Sequence, residues 1–396
     1  MCPAGIAVPL ASGREGYDEA AMAKDKQYLG IEALRFLCAV AVVVWHYQHF
    51  YMGLDESYVV PFTREMQPLS ALLKPFYGWG YMAVSIFWQI SGFIFFWKYH
   101  EAIAAGEVGG FRFFVLRFSR LYPLHVATLV VVAGLQIAFA ASHGGDAFVY
   151  GHEDARHFLL SLAFASSWGF EAGMSFNGPV WSVSIEALVY ALFFAISMRV
   201  RLDLVGRIGL VALAVGGWVA NERWGTPALR LLIQCAAFFF AGGVVQAVLR
   251  AVPHRWVKAA ALPALVVVVV IGMRLFHDGV DTSKFVILTF STLLIVGFIG
   301  LEDFAPMERA FAWIEPAADM TYSSYLLHFP IQLAMVTITD RLGWTRFVYD
   351  RPVMLVLYLG LTFALAWVVF HGFERPVQQG LRRLLFARRG HRVATV

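Results

Sequence analysis

Residues 28–50, YLGIEALRFLCAVAVVVWHYQHF, set an arginine and two histidines inside what otherwise reads as a membrane-spanning helix. Arg35 and His46 are eleven positions apart, almost a whole number of turns, so both side chains leave the same face. A rise of 1.5 Å per residue separates them by roughly 16 Å along the axis. Arg35 then lies near one membrane surface with His46 well inside, and His49, three residues on, shares that face. An arginine or lysine at the centre of such a helix costs roughly 2.5–3.5 kcal/mol on insertion scales, so an ionisable group there turns toward protein or a wet cavity. Two readings follow from this helix alone. Either His46 hydrogen-bonds a neighbouring helix while Arg35 anchors at the headgroups, or both line a functional passage.

Of the 396 residues, 59% are hydrophobic and only 15% charged, which marks an integral membrane protein. Aromatics at 16% suit lipid-facing helices and interfacial belts. A net charge of +4, spread over many connections, forms no basic domain and excludes nucleic acid as a partner. Cys2, Cys38 and Cys235 have no metal-ligand spacing, so buried thiols are expected rather than a disulfide framework or a metal site. Glu32 and Arg35 interrupt the first apolar run, which makes a poor signal peptide and predicts a retained first helix.

Apolar stretches of spanning length fall near 30–51, 76–97, 121–141, 179–198, 205–221, 228–248, 257–275, 283–301, 320–339 and 352–373. The expected fold is all-α, a polytopic bundle of about ten transmembrane helices. Connections bearing Lys98, Arg112, Arg117 and Arg120, then Arg199, Arg201 and Arg207, then Arg250, Arg255 and Lys258, belong on the cytoplasmic side, as does the tail from Arg375 to Arg392. The acidic connection 142–178 belongs outside. The connection 301–319 carries Arg309 among acids, yet the helix count puts it inside; both termini are then cytoplasmic. Residues 1–27 form an N-terminal tail, 28–376 one membrane domain and 377–396 a basic C-terminal tail. The multi-pass chain belongs in a cell inner, or plasma, membrane.

Four segments carry polar groups with chemical potential. Arg117 and Arg120, three apart before the third span, make either a phosphate clamp or a positive-inside anchor. In NGPVWSVSIE, Asn177, Gly178 and Pro179 turn into a helix on which Ser182 and Glu186 share a face, with Trp181 expected at the outer interface. Glu186 needs a partner inside a membrane helix, either a structural hydrogen bond or a histidine from the first helix. Gln89, Ser91 and Gly92 favour close helix packing. Tyr322, Tyr325 and His328 recur every three residues and either line the same cavity or satisfy a core.

The ordered set Arg35-x10-His46, SGF at 91–93, RxxRLYP at 117–123, NGPVWSVSIE at 177–186, YSSYLLHFP at 322–330 and HGFERP at 371–376 resembles the membrane-bound acyltransferase 3 family, relatives of bacterial O-antigen, exopolysaccharide and Nod-factor O-acyltransferases. The resemblance covers about 28–376, in the stand-alone type without an SGNH domain. One departure is IEALR at 31–35, where the family more often has an Asp-Gly-Leu-Arg sequence; Glu32 keeps the charge. The resemblance implies transfer of an acyl group, usually acetyl, from cytoplasmic acetyl-CoA or another acyl-CoA to a hydroxyl of a sugar or lipid-linked glycan, without a metal. It also implies dependence on His46, Arg35, Arg117 and Arg120.

On that basis the arginines are expected to hold the CoA phosphates. His46 is expected to act as general base or transient acyl carrier, oriented by Glu186, with Ser182, Trp181, Asn177, Tyr325 and His328 as further site candidates among lipids and the glycan acceptor. The rival class is a proton-coupled transporter or flippase, because buried histidines and carboxylates also serve proton relays. Release of free CoA separates the two.

Overall fold

The computed structural model describes residues 28–278, 284–302 and 304–387. The N-terminal tail, Cys2 and the basic residues Arg388, Arg389 and Arg392 lie outside the described residues. No β-strand occurs among the described residues, and the chain is an all-α polytopic bundle. Seven described helices are long and apolar enough to cross a membrane, or nine when two bent pairs each count as one span. The helix Thr321–Arg341 has the length as well, but sixteen of its 21 residues are buried, polar ones included. It is the bundle's interior helix, which is why it can carry so many hydroxyls and amides.

The first helix, α1 (Leu29–Trp45), continues as a 3₁₀ turn, His46–Tyr51, whose six residues are all buried. It packs against α2 (Ser70–Trp79), α3 (Met82–Phe95), α10 (Lys284–Leu301), α11 (Ala305–Asp319) and α12 (Thr321–Arg341). The expected second span is two pieces, α2 and α3, meeting at 57°. Gly80 sits at the joint, where a Cβ would come 2.3 Å from the Ala41 carbonyl oxygen. Within the expected connection 301–319, Ala305–Asp319 is the helix α11.

Gly92 does what close packing requires. A Cβ there would lie 1.7 Å from the Phe239 carbonyl oxygen, so backbone meets backbone between α3 and α8 (Pro227–Ala251). Gln89 beside it donates from Nε2 to Thr292 at 2.7 Å, joining α3 to α10.

The segment with the arginine pair and the third span form one helix, α4 (Gly110–Ala140), about 46 Å long at 1.5 Å per residue over its 31 residues. Gly106, at φ +76°, makes the turn before it. Beyond α4 the connection 142–178 does not stay at the far end. Its short helix α5 (Ala155–Leu162) folds back along α4, where His125 donates to the Ser161 carbonyl at 2.7 Å and Tyr122 to that of Leu162 at 2.9 Å. His125 precedes the end of α4 by fifteen residues, roughly 22 Å of helix. Positive φ at Val149 (65°), Phe164 (61°) and Phe176 (49°) bends this re-entrant stretch at residues that seldom adopt such angles.

The next helix, α6 (Trp181–Ser197), therefore starts deep in the bundle and runs back beside the first half of α4, with the rings of Phe113 and Phe194 5.1 Å apart. Trp181, half-buried, meets Trp88 edge-on at 5.7 Å. The remaining helices are α7 (Leu204–Trp224), α9 (His254–Asp278), α13 (Pro352–Val369) and α14 (Arg375–Ala387). Arg382 of α14 donates to Ser119 at 3.2 Å, closing the arginine-rich end against α4.

Candidate functional site

Two polar centres share the interior. The first is a cavity of about 150 Å³ walled by Arg35, Arg117, Arg120, Ser182, Glu186 and Tyr325, with Ser91, Tyr190 and Thr321 among its other lining residues. Arg35 comes from α1, Arg117 and Arg120 from successive turns of α4, Glu186 from α6 and Tyr325 from α12. All three arginines expected to bind the donor are thus brought together.

Their engagement differs. Arg35 forms an ion pair with Glu32 at 2.6 Å and donates to Thr321 Oγ1 at 3.2 Å. Arg117 donates to the Tyr99 hydroxyl at 2.5 Å and lies 4.9 Å from the centroids of the Phe95 and Tyr99 rings, a cation–π bracket that fixes its head. Arg120 lies within electrostatic reach of Glu186 and Glu374. Glu374, from the closing HGFERP segment, is buried and accepts from Ser323.

The second centre is three imidazoles. His46 stands 4.9 Å from His49 and 4.7 Å from His328, ring centre to ring centre. His46 Nδ1 donates to the Val42 carbonyl at 2.9 Å and His328 Nδ1 to that of Tyr325 at 2.5 Å. Gln332 donates to the His46 carbonyl at 2.7 Å, which turns its oxygen to His49 Nδ1 at 3.2 Å. A backbone carbonyl only accepts, so Nδ1 of His46 carries the hydrogen and Nε2 keeps the lone pair. That is the tautomer a general base requires.

Tyr325 joins the centres. Its hydroxyl meets Ser182 Oγ at 2.8 Å on the cavity side and donates to the Pro179 carbonyl, while its ring lies 5.7 Å from His328. Asn177 anchors the α6 entry by donating to the Leu326 carbonyl at 2.9 Å. Gly178 is needed there, because a Cβ would fall 2.3 Å from the Tyr150 ring, which itself packs on His49.

The structure does not bring Glu186 to His46. Because α6 starts deep and runs toward the arginine-rich end, Glu186 arrives at the arginines, with the hydroxyls of Ser91 and Tyr190 beside its carboxyl group. Sequence spacing identified the arginines, Ser182, Tyr325 and His328 but not Tyr99, Thr321 or Glu374. Glu374 lies in HGFERP and Thr321 immediately precedes YSSYLLHFP, but no spacing singles either out.

Above the histidines, the re-entrant segment holds Glu153, which accepts from the Phe176 amide at 2.7 Å. Burial pushes its carboxyl group from about 4.5 up to about 8. Arg346 donates to the Phe50 carbonyl at 3.0 Å and pairs with Asp340 at 2.9 Å, tying down the 3₁₀ turn that carries His46 and His49. His152, Asp154 and His157 place donor atoms within 4.8 Å of one another. His157 is already spent as a loop fastener, with Nδ1 on Asp154 at 2.8 Å and Nε2 accepting from the Ala172 amide at 3.1 Å.

Residues 28–371 match the family model described as the acyltransferase domain. Over 118 residues, 29% of this chain and 27% of the relative, the sequence is 28% identical to the acyltransferase MdmB of Streptomyces mycarofaciens. That match spans only about a quarter of the relative's length. No solved structure matches the chain.

Proposed function

The chain belongs to the acyltransferase family defined by that domain, and on that premise we propose that it moves an acyl group, acetyl by preference, from a cytosolic acyl-CoA to a hydroxyl of a sugar or lipid-linked glycan. One observation carries this reading: a cavity walled by three arginines is joined through Tyr325 and His328 to an imidazole whose lone pair is free to accept a proton.

In this reading Arg117 and Arg120, with Arg35, hold the phosphates of CoA. The pantetheine arm extends from the arginine end toward His46, which follows the last residue of α1 about 16 Å along the axis from Arg35. His46 Nε2 takes the acceptor's hydroxyl proton as oxygen attacks the thioester carbon, or attacks it first and carries the acyl group. Glu186 balances the arginines and shapes the cavity instead of orienting His46. A groove of about 500 Å³ between α4 and α6 shares Arg117, Leu121 and Tyr190 with the cavity and is otherwise largely apolar. It supports a lipid-linked acceptor, whose hydrocarbon chain would enter sideways from the bilayer. The chain sits in the inner, or plasma, membrane with both termini in the cytosol.

The test is CoA release from acetyl-CoA by membranes holding equal amounts of wild type and His46→Ala, with mass analysis of glycans for the added group. Loss of both signals in the variant is expected. Wild-type release by His46→Ala, or transport of an unaltered substrate without CoA release, defeats the proposal.

A further inference from the structure

We propose that His328 is the proton-sharing partner of His46 at Nε2, stabilising the imidazolium as a carboxylate does from the other ring nitrogen in a Ser-His-Asp triad. This rests on the reading of His46 as the base, and concerns what stabilises the imidazolium once it forms.

The two rings come from different elements, the end of α1 and the middle of α12, and lie 4.7 Å apart with their planes at 43°. Each has its Nδ1 occupied by a backbone carbonyl, so each neutral ring presents a lone pair at Nε2. His328 is fully buried, and its Nε2 has no hydrogen-bond partner. A buried acceptor without a donor demands an explanation. Two lone pairs cannot bond to each other, but a single added proton turns the pair into an N–H···N hydrogen bond. The orphan nitrogen of the resting site is thus what a pair short of one proton must show.

No carboxylate touches either ring among the described residues. The titratable groups facing them are His49 from the 3₁₀ turn and Tyr325 from α12, with Tyr150 of the re-entrant segment packed on His49. His49 is held by Gln332. That bond uses His49 Nδ1, so His49 Nε2 carries a lone pair as well; of the two neighbours, His328 is the one whose Nε2 is sealed from solvent without a hydrogen-bond partner.

The proton count closes. As the acceptor oxygen bonds to the thioester carbon, its hydrogen passes to His46 Nε2 and is shared with His328 Nε2. When the C–S bond breaks, the pair returns that proton to the CoA sulfur, leaving the ester, free CoA and the resting pair.

The experiment measures CoA release from acetyl-CoA by full-length protein in membranes that contain the native acceptor, across pH, for wild type, His46→Ala and His328→Gln. Glutamine keeps a donor for the Tyr325 carbonyl but cannot take a proton. Expected are an inactive His46→Ala and a His328→Gln whose kcat falls at least ~10-fold, whose acid limb moves by about one pH unit or more, and whose KM for acetyl-CoA is unchanged. If His46→Ala is inactive while His328→Gln matches wild type in rate and acid limb, the pairing is overturned and the reading of His46 stands. If His46→Ala is active, the reading of His46 itself fails. Wild-type protein decides the case should His328→Gln not fold. In ¹⁵N-histidine spectra the Nε2 signals of His46 and His328 should move together through one protonation step, and independent titration of the two rings overturns the proposal.

Discussion

Arg117→Ala should raise the acetyl-CoA concentration needed for half-maximal CoA release by roughly 10- to 150-fold. The figure comes from a hydrogen bond to a charged group being worth about 1.5–3 kcal/mol, at tenfold per 1.4 kcal/mol. Arg117 has capacity for such a bond, because its Nη2 is on the Tyr99 hydroxyl and its Nε is buried without a partner, while the rest of its head faces the cavity. Arg35 is already neutralised by Glu32 and tied to Thr321, so Arg35→Ala should cost less, on the order of tenfold or below. Tyr99→Phe leaves the charge and the ring bracket but removes the hydroxyl that aims the guanidinium. A net hydrogen bond of about 0.5–1.5 kcal/mol makes that a roughly 2- to 10-fold effect. The assay is the donor dependence of CoA release at matched protein levels, with direct titration of CoA binding to separate affinity from rate. An Arg117→Ala variant with unchanged donor affinity, or an Arg35 effect larger than that of Arg117, refutes the clamp as drawn.

Gly92→Leu should lower the melting temperature in detergent, since its Cβ would lie 1.7 Å from the Phe239 carbonyl oxygen; overpacking of about 1–3 kcal/mol is expected, and an unchanged melting temperature would show the α3–α8 contact to be loose. Glu153→Gln tests a pH dependence. A carboxyl group raised from about 4.5 to about 8 in the fold supports the re-entrant segment fully below pH 4.5 and loses that support as pH climbs to about 8, by roughly 1.4 kcal/mol per pH unit at most. The variant should flatten the decline in stability between these values, as measured by limited proteolysis, and an identical decline in both proteins removes Glu153 as the cause. Arg346→Ala should reduce activity and stability together, because it frees the Phe50 carbonyl and leaves Asp340 with only His143. Normal CoA release by Arg346→Ala would show that the 3₁₀ turn needs no such tether.

Much of the molecule follows from local pattern. Composition and the length of the apolar runs determine an all-α polytopic bundle, because backbone groups in hydrocarbon must be satisfied within each segment. The eleven-residue spacing of Arg35 and His46 predicts a shared face on one continuous helix; the structure puts Arg35 on α1 and His46 at the first residue of the 3₁₀ turn that continues it. Other features depended on contacts between segments far apart in the chain. Acidic composition assigned residues 142–178 to the outside; it carried no sign that Tyr122 and His125 would bond α5 back along α4. That in turn sets the depth at which α6 begins, and with it whether Glu186 meets the histidine or the arginines. The pairing of His46 with His328, across a separation of 282 residues, was equally beyond periodicity. Spacing along one helix shows which face a side chain leaves; which partner waits there is decided by how the helices pack, and short-range pattern does not encode that packing.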